Sequence, residues 1–145
     1  MMKKTIIAAA SLLSLLLIGW VAPKPIHAPS EPELRLFLWL DDTNLREFKP
    51  IEYVCLSYAR DLKRNALRQG INMCLLLIDL LIEEEDGTLH MGGGHAVNGV
   101  VLANGTLIAI EPQTDQLISY KDLEIHVQRF IGLPNLYIYS VKAVW

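Results

Sequence analysis

The chain has 145 residues, 52% of them hydrophobic, with 13 Lys and Arg against 16 Asp and Glu and a formal net charge of −3. That length fits one domain with a real core, and the acidic balance excludes a general affinity for phosphate backbones. The one basic cluster, Arg60, Lys63, Arg64 and Arg68, reads as a solvated helix face, so nucleic acid is not an expected partner.

At the N-terminus Lys3 and Lys4 precede an apolar run from Ile6 to Val21, and "APKPIHA" follows. A basic end, an apolar middle and a short-residue close are the order of a secretory signal, with Ala22 and Ala28 as candidate cleavage points. Retained instead, residues 6–21 make an anchor near the short limit for spanning a bilayer. No cysteine follows the run, which argues against a lipoprotein. The expected division is 1–28 as signal or anchor, 29–33 ("PSEPE") as a Pro-rich tether, and 34–145 as the domain. The expected location is exported: extracellular, periplasmic, or held at the cell membrane through residues 6–21.

In the domain, "LDDTNLREFKPIEY" is polar and turn-rich, with Asp42, Thr43 and Asn44 suited to cap a short helix. From Cys55 the small and apolar residues at 55, 58, 59, 62 and 66 recur at helical spacing, and Gly70 ends the helix. "INMCLLLIDLLI", between a glycine break and the acidic "EEEDG" turn, reads as a central strand buried on both faces. A hairpin from His95 to Glu111, turning at Asn104 and Gly105, comes next. "DLEIHVQRF" fits either strand or helix, and "LYIYSVKAVW" is a final strand by its alternation.

Two cysteines in an exported chain raise the question of a disulfide. A helix from Cys55 to Arg68 is about 20 Å long and puts Cys74 near its far end, whereas a disulfide needs Cα atoms within about 7 Å. Both are therefore read as free thiols. Cys55 lies in the first turn of its helix, where free N–H groups and the helix dipole favour a thiolate. An imidazole beside it and a carboxylate on the imidazole's other nitrogen complete an activated nucleophile. His95 and Glu111 are the candidates, on one condition. With a two-residue turn Glu111 pairs with Asn98 and points away from His95; with a three-residue loop, Ala103 to Gly105 and Gly105 left-handed, it pairs with Val97 and shares the His95 face.

Bland readings stand beside these. Cys55 alone is a small core residue, His95 after three glycines is a loop residue, and Glu111 before Pro112 is a polar strand end. His90 and His95 with Cys74 or Asp86 contain no tight ligand pair, so neither a metal nor another cofactor is expected. Tyr53 and Tyr58 read as core beside Cys55, Asn98 as strand support or cleft, and Gln113 and Thr114 as cleft-lining candidates.

The order Y-x-C-x-x-Y-A-x-x-L from Tyr53, then Q-G-I from Gln69, G-H-A-x-N from Gly94 and I-E-P-Q-T-D from Ile110 resembles the transglutaminase-like superfamily of papain-related cysteine enzymes, in particular its small exported prokaryotic members. The resemblance runs from the "DDTN" at Asp41 to about Asp115, half of the chain. It implies an α+β fold with a transglutaminase-like (papain-like) core, a Cys-bearing helix packed on an antiparallel β-sheet. It also implies Cys55 as nucleophile, His95 as base and Glu111 as the orienting carboxylate. The third residue departs from the family's Asp, Val97 stands where an aromatic often follows, and only the Cys55 N–H is assigned to an oxyanion hole. The implied activity is a cysteine hydrolase (peptidase or amidase) or acyl transferase acting on a protein or peptide amide. The alternative is a catalytically inactive binding module of the same fold, tethered at or outside the membrane.

Overall fold

The computed structural model describes residues 24–145, so the expected signal or anchor lies outside the described residues except for its last five. Three α-helices, α1 (Glu31–Leu40), α2 (Cys55–Arg68) and α3 (Leu123–Ile131), accompany five strands: β1 (Cys74–Glu83), β2 (Leu89–Val101), β3 (Leu107–Glu111), β4 (Gln116–Ser119) and β5 (Leu136–Val144). The strands form one antiparallel sheet in the order β4-β3-β2-β1-β5. The fold is α+β, and no helix among the described residues is long and apolar enough to cross a membrane.

The segment expected to be a tether is built into the fold. Ser30 caps α1, its side chain accepting from the Glu33 N–H while Glu33 reaches back to the Ser30 N–H. Pro32 falls in the first turn, where its missing N–H costs nothing. "SEPE" is thus a helix start. Before it, the His27 N–H donates to Gly70 O at 2.8 Å and the Asn72 N–H to His27 O at 2.9 Å. Gly70 has φ +81°, and a Cβ there would lie 2.7 Å from Pro25 O, so the turn after α2 and the close approach of this segment both require glycine. Cleavage after Ala22 leaves these bonds intact; cleavage after Ala28 removes them.

Strand alternation divides the sheet into two faces. Cys74, Leu76, Ile78 and Leu80 lie with His95, Val97, Ala109 and Glu111 on one; Ala96, Asn98, Val100 and Ile110 lie on the other. On the second face Leu34, Phe37 and Leu38 of α1 and Leu62 and Ala66 of α2 pack against Val100 and Ile110. On the first, Leu123 and Val127 of α3 cluster with Leu76, Ile78, Val97 and Ile118. Two helices cover one side and one helix the other. β1 is central, but it is not buried on both faces as its Leu-rich sequence suggested: 74, 76, 78 and 80 are buried, while Asp79 is exposed. α2 covers the β2 side of that face and leaves this part of β1 open.

Two bulges flank Leu80. Gly92 is the extra residue of β2, and Tyr139 the extra residue of β5. The glycine run thus lies inside a 13-residue strand, which makes His95 a mid-strand residue and not the start of a hairpin. Gly92 is tightly placed, since a Cβ would sit 2.6 Å from the Ile82 side chain, which would have to shift. The bulge in β5 also interrupts the strict alternation expected of the final strand. Cys74 is a packing residue: it is buried, and its sulfur lies 2.8 Å from where a Gly99 Cβ would stand.

Fully buried Asn98 ties the two layers together. Its Nδ2 donates to Ala59 O at 2.9 Å and to Cys74 O at 3.4 Å. Ala59 is one turn beyond Cys55, so this contact fixes the height of the α2 N-terminus over β2. Asn98→Ala is expected to lower unfolding stability by about 1–3 kcal/mol, the range for a lost buried hydrogen bond, read from the denaturant midpoint at unchanged m-value.

Candidate active site

The residues that meet at the N-terminus of α2 come from separate elements. Val54, with φ −105° and ψ 179°, turns the chain into α2 and carries no acceptor side chain to satisfy the first-turn amides. The Ser57 N–H is met by Val54 O at 2.7 Å, and the Cys55 sulfur stands beside the Leu56 and Ala96 N–H groups and the His95 ring, which draw its thiol down. The Ala96 contact is open because β3 stops at Glu111, opposite Val97 when the ladder is continued. Beyond that point the β2 edge has no strand neighbour on this side, and the α2 N-terminus takes the place of one.

The β2–β3 connection is the three-residue loop. Val101 pairs with Leu107, the Leu102 N–H donates to Thr106 O at 2.9 Å, the Gly105 N–H to Leu102 O at 2.8 Å, and Gly105 has φ +84°. With that register Glu111 shares the His95 face. Its side chain is fully buried, and its Oε2 accepts from His95 Nε2 at 2.8 Å. Its Oε1 accepts from the Gln113 N–H at 3.4 Å, so the turn after β3 supports the carboxylate with backbone. Donation of Nε2–H to Glu111 leaves Nδ1 of His95 for the thiol.

Charge follows from these contacts. The hydrogen bond from His95 pulls the Cys55 thiol below its ordinary value; burial opposes this, and the His95 charge and the Ala96 and Leu56 amides reinforce it. Burial alone would lower His95, but hydrogen bonds to Cys55 and Glu111, and their charges, outweigh it and raise His95 to about 9. Burial raises the Cys74 thiol. Both cysteines are free thiols, and their environments push them in opposite directions.

Two residues that the sequence reading did not single out complete the surroundings. His126 of α3 is one-tenth exposed, with its Nε2 3.6 Å from Glu111 Oε2. Phe130, one turn on, packs against both rings, tilted to His95 at 5.3 Å between centroids and stacked on His126 at 5.9 Å. The visible signal was the i, i+4 spacing of His126 and Phe130, which requires "DLEIHVQRF" to be a helix. His126 and Phe130 also line a groove of about 360 Å³ with Gln116, Ile118, Asp122 and Arg129. A second groove of about 480 Å³, between α1 and the C-terminal end of α2, is lined by Lys24, Leu36, Phe37, Leu40 and Arg68, away from Cys55.

The remaining candidates are elsewhere. His90 pairs with Ile82 at the far end of β1 from Cys74 and lies 3.4 Å from exposed Glu84, so His90, Cys74 and His95 do not converge. Tyr58 is buried, and Tyr53 is half-buried against it at 4.5 Å between centroids, bonded to Asp61. Gln113 contributes its N–H to Glu111, and the Thr114 side chain is exposed. Asn98 faces α2, not the cleft. The acidic run lies at the end of β1 and in the turn after it, and Arg60, Arg64 and Arg68 are exposed on α2, whereas Lys63 donates to Val144 O at 2.9 Å; Asp61 of the same helix bonds Arg46 and Arg64.

No protein-family model matches the chain, and no curated protein matches it in sequence. Solved structures resemble it in fold. Protein-glutaminase superposes with TM-score 0.51 at 11% identity over 83% of this chain and 74% of its own. A PSL1a complex gives 0.50 at 12% identity, covering 91% and 48%. The Polyporus squamosus lectin bound to a human-type influenza-binding epitope gives 0.49 at 12%, covering 80% and 38%. The chain spans less than half the length of the latter two. The relation to protein-glutaminase is a distant one of fold.

The coupled shifts predict selective chemistry at Cys55. Under native conditions iodoacetamide is expected to modify Cys55 and spare Cys74, with a thiolate pKa below the free value of about 8.5. His95→Ala returns Cys55 to an ordinary thiol, measured as the pH dependence of the alkylation rate. Because His95 stands at about 9 in the fold and about 6.5 unfolded, its contribution to stability is full below about pH 6.5 and fades as pH rises through 9. Thermal midpoints of the wild type should fall over that window, and His95→Ala should flatten the fall.

Proposed function

We propose that the protein is an exported cysteine amidohydrolase with a transglutaminase-like core, acting on protein or peptide amides through Cys55, His95 and Glu111. The observation that carries the reading is the buried His95–Glu111 pair at 2.8 Å, with the Cys55 thiol at the start of α2 drawn down by the same ring. Support for the amide class comes from a fold neighbour whose name, protein-glutaminase, denotes such a substrate. Support for export comes from the sequence pattern of residues 1–28, and the acidic balance speaks against nucleic acid as partner.

In this reading the Cys55 thiolate attacks the amide carbonyl carbon. The developing oxyanion takes the Cys55 N–H, the first amide of α2, as donor. His95, as imidazolium, gives its proton to the leaving nitrogen as the C–N bond breaks, and an acyl thioester remains. Water then attacks the thioester, His95 takes its proton, and the C–S bond breaks to release the acid and the thiolate. Glu111 holds the ring in place and stabilises the imidazolium throughout. An amine in place of water gives acyl transfer; the short loops around Cys55 offer little surface to a selective protein amine, which favours hydrolysis.

Ammonia and new amino-termini released from an unfolded protein substrate test the reading. Cys55→Ala is expected to abolish turnover. Glu111→Gln should lose about 10²-fold or more in kcat/KM, and Cys74→Ala should leave it unchanged. Turnover that survives in Cys55→Ala would overturn the reading. An unreactive Cys55 in the folded wild type would leave the tethered binding module in its place.

A further inference from the structure

The Glu111 carboxylate faces two imidazoles, and the three-residue line from Cys55 uses only one. His126 Nε2 is buried and has no hydrogen-bond partner, although it lies 3.6 Å from Glu111 Oε2, the same oxygen that His95 Nε2 meets at 2.8 Å. A buried ring nitrogen without a partner costs free energy unless a modest movement satisfies it, and the Glu111 carboxylate stands 3.6 Å away to do so. Phe130 packs against both rings, tilted to His95 and stacked on His126, so the two imidazoles lean on one aromatic and converge on one oxygen. The other charged groups near His126 are Asp122 and Arg129 of α3, which line the groove on its open side. Inside it faces Glu111 from β3 and His95 from β2.

We propose that His126 is a positioning residue of the thiol site: in its neutral form it donates Nε2–H to Glu111 Oε2 and holds the carboxylate where His95 needs it. This rests on the reading of Cys55, His95 and Glu111 as the active site. A carboxylate with two donors on one oxygen and the Gln113 N–H on the other is fixed at both ends. Without that donor one oxygen keeps only the His95 contact, the carboxylate is free to turn, and the ring that activates the Cys55 thiol loses its fixed support.

The test uses the full chain carrying Cys74→Ala, and begins with the tautomer of His126 in the otherwise unaltered protein. Nitrogen-15 NMR of the imidazoles at pH 8 is expected to show His126 protonated on Nε2; a neutral ring protonated on Nδ1 alone would overturn the proposal without any further variant. The second arm is the pH profile of Cys55 alkylation. His126→Phe, which keeps the packing on Phe130, should lower the neutral-pH rate about tenfold, the scale of one charge-assisted hydrogen bond, and move the Cys55 midpoint up toward that of a free thiol. His126→Gln, which keeps a donor for the carboxylate, should recover both the rate and the midpoint, an outcome that a merely structural role would not give. If His95→Ala abolishes the lowered thiol pKa while His126→Phe retains the parent rate and midpoint, this proposal fails and the active-site reading stands. If His95→Ala changes nothing, both fail.

Discussion

A carboxylate with no solvent exposure, Glu111, is the constraint around which the rest of the structure is arranged. Taking an ionised carboxyl out of water costs several kcal/mol unless charge and hydrogen bonds replace the lost hydration. Here the replacement is the His95 ring at 2.8 Å, aided by the Gln113 N–H. That compensation works only if β3 meets β2 in one register, because a slip of one residue would turn Glu111 to the opposite face. The register is set in turn by a loop whose Gly105 adopts φ +84°, a conformation disfavoured for residues with a Cβ.

The same reasoning runs from Glu111 out to the sulfur. An imidazolium raised to about 9 needs a second anion or solvent on its other edge, and Cys55 supplies the anion. A thiolate half-buried at a helix start needs donors, and the Leu56 and Ala96 amides and the His95 ring stand beside it and draw the thiol down. Cys55 and His95 each favour the charged form of the other, so a change in one is felt by its partner. The set of three is held together from different layers of the fold: α2 on one face of the sheet, α3 on the other, and the open edge of β2 between them. Asn98, bonding Ala59 one turn above Cys55, sets the distance across which the set must work.

What was legible in the sequence had strong local causes. The α2 helix showed itself by its spacing and by Gly70, and the disposition of Cys55, His95 and Glu111 was legible as a condition on the length of one loop. Less local features were hidden. The capping box of α1 looked like a Pro-rich tether because Ser30 and Glu33 were overshadowed by the prolines between and before them. The glycines 92–94 looked like a break and are a bulge inside a strand, since a bulge is defined by the partner strand and not by its own residues. Leu123, Ile125 and Val127 alternate as in a strand while Leu123, Val127, Phe130 and Ile131 recur at helical spacing, and with the helix unassigned His126 had no reason to be placed beside Glu111. Burial on one face of β1 was likewise invisible, because what covers a strand is decided by elements distant in sequence.

The length of the Glu111 side chain has a geometric meaning. Continued register puts Glu111 opposite Val97, so His95 is its diagonal neighbour two residues along, a pair whose Cα atoms lie roughly 7–8 Å apart. Both side chains must span that step along the sheet as well as rise from it. The additional methylene of Glu extends the carboxylate by about one carbon–carbon bond, and the contact closes at 2.8 Å. It also carries the carboxylate far enough over the sheet for Oε2 to come within 3.6 Å of a histidine on α3. The longer acid is therefore matched to its strand position, and the length that compensates for the diagonal is also what exposes the carboxylate to a second imidazole.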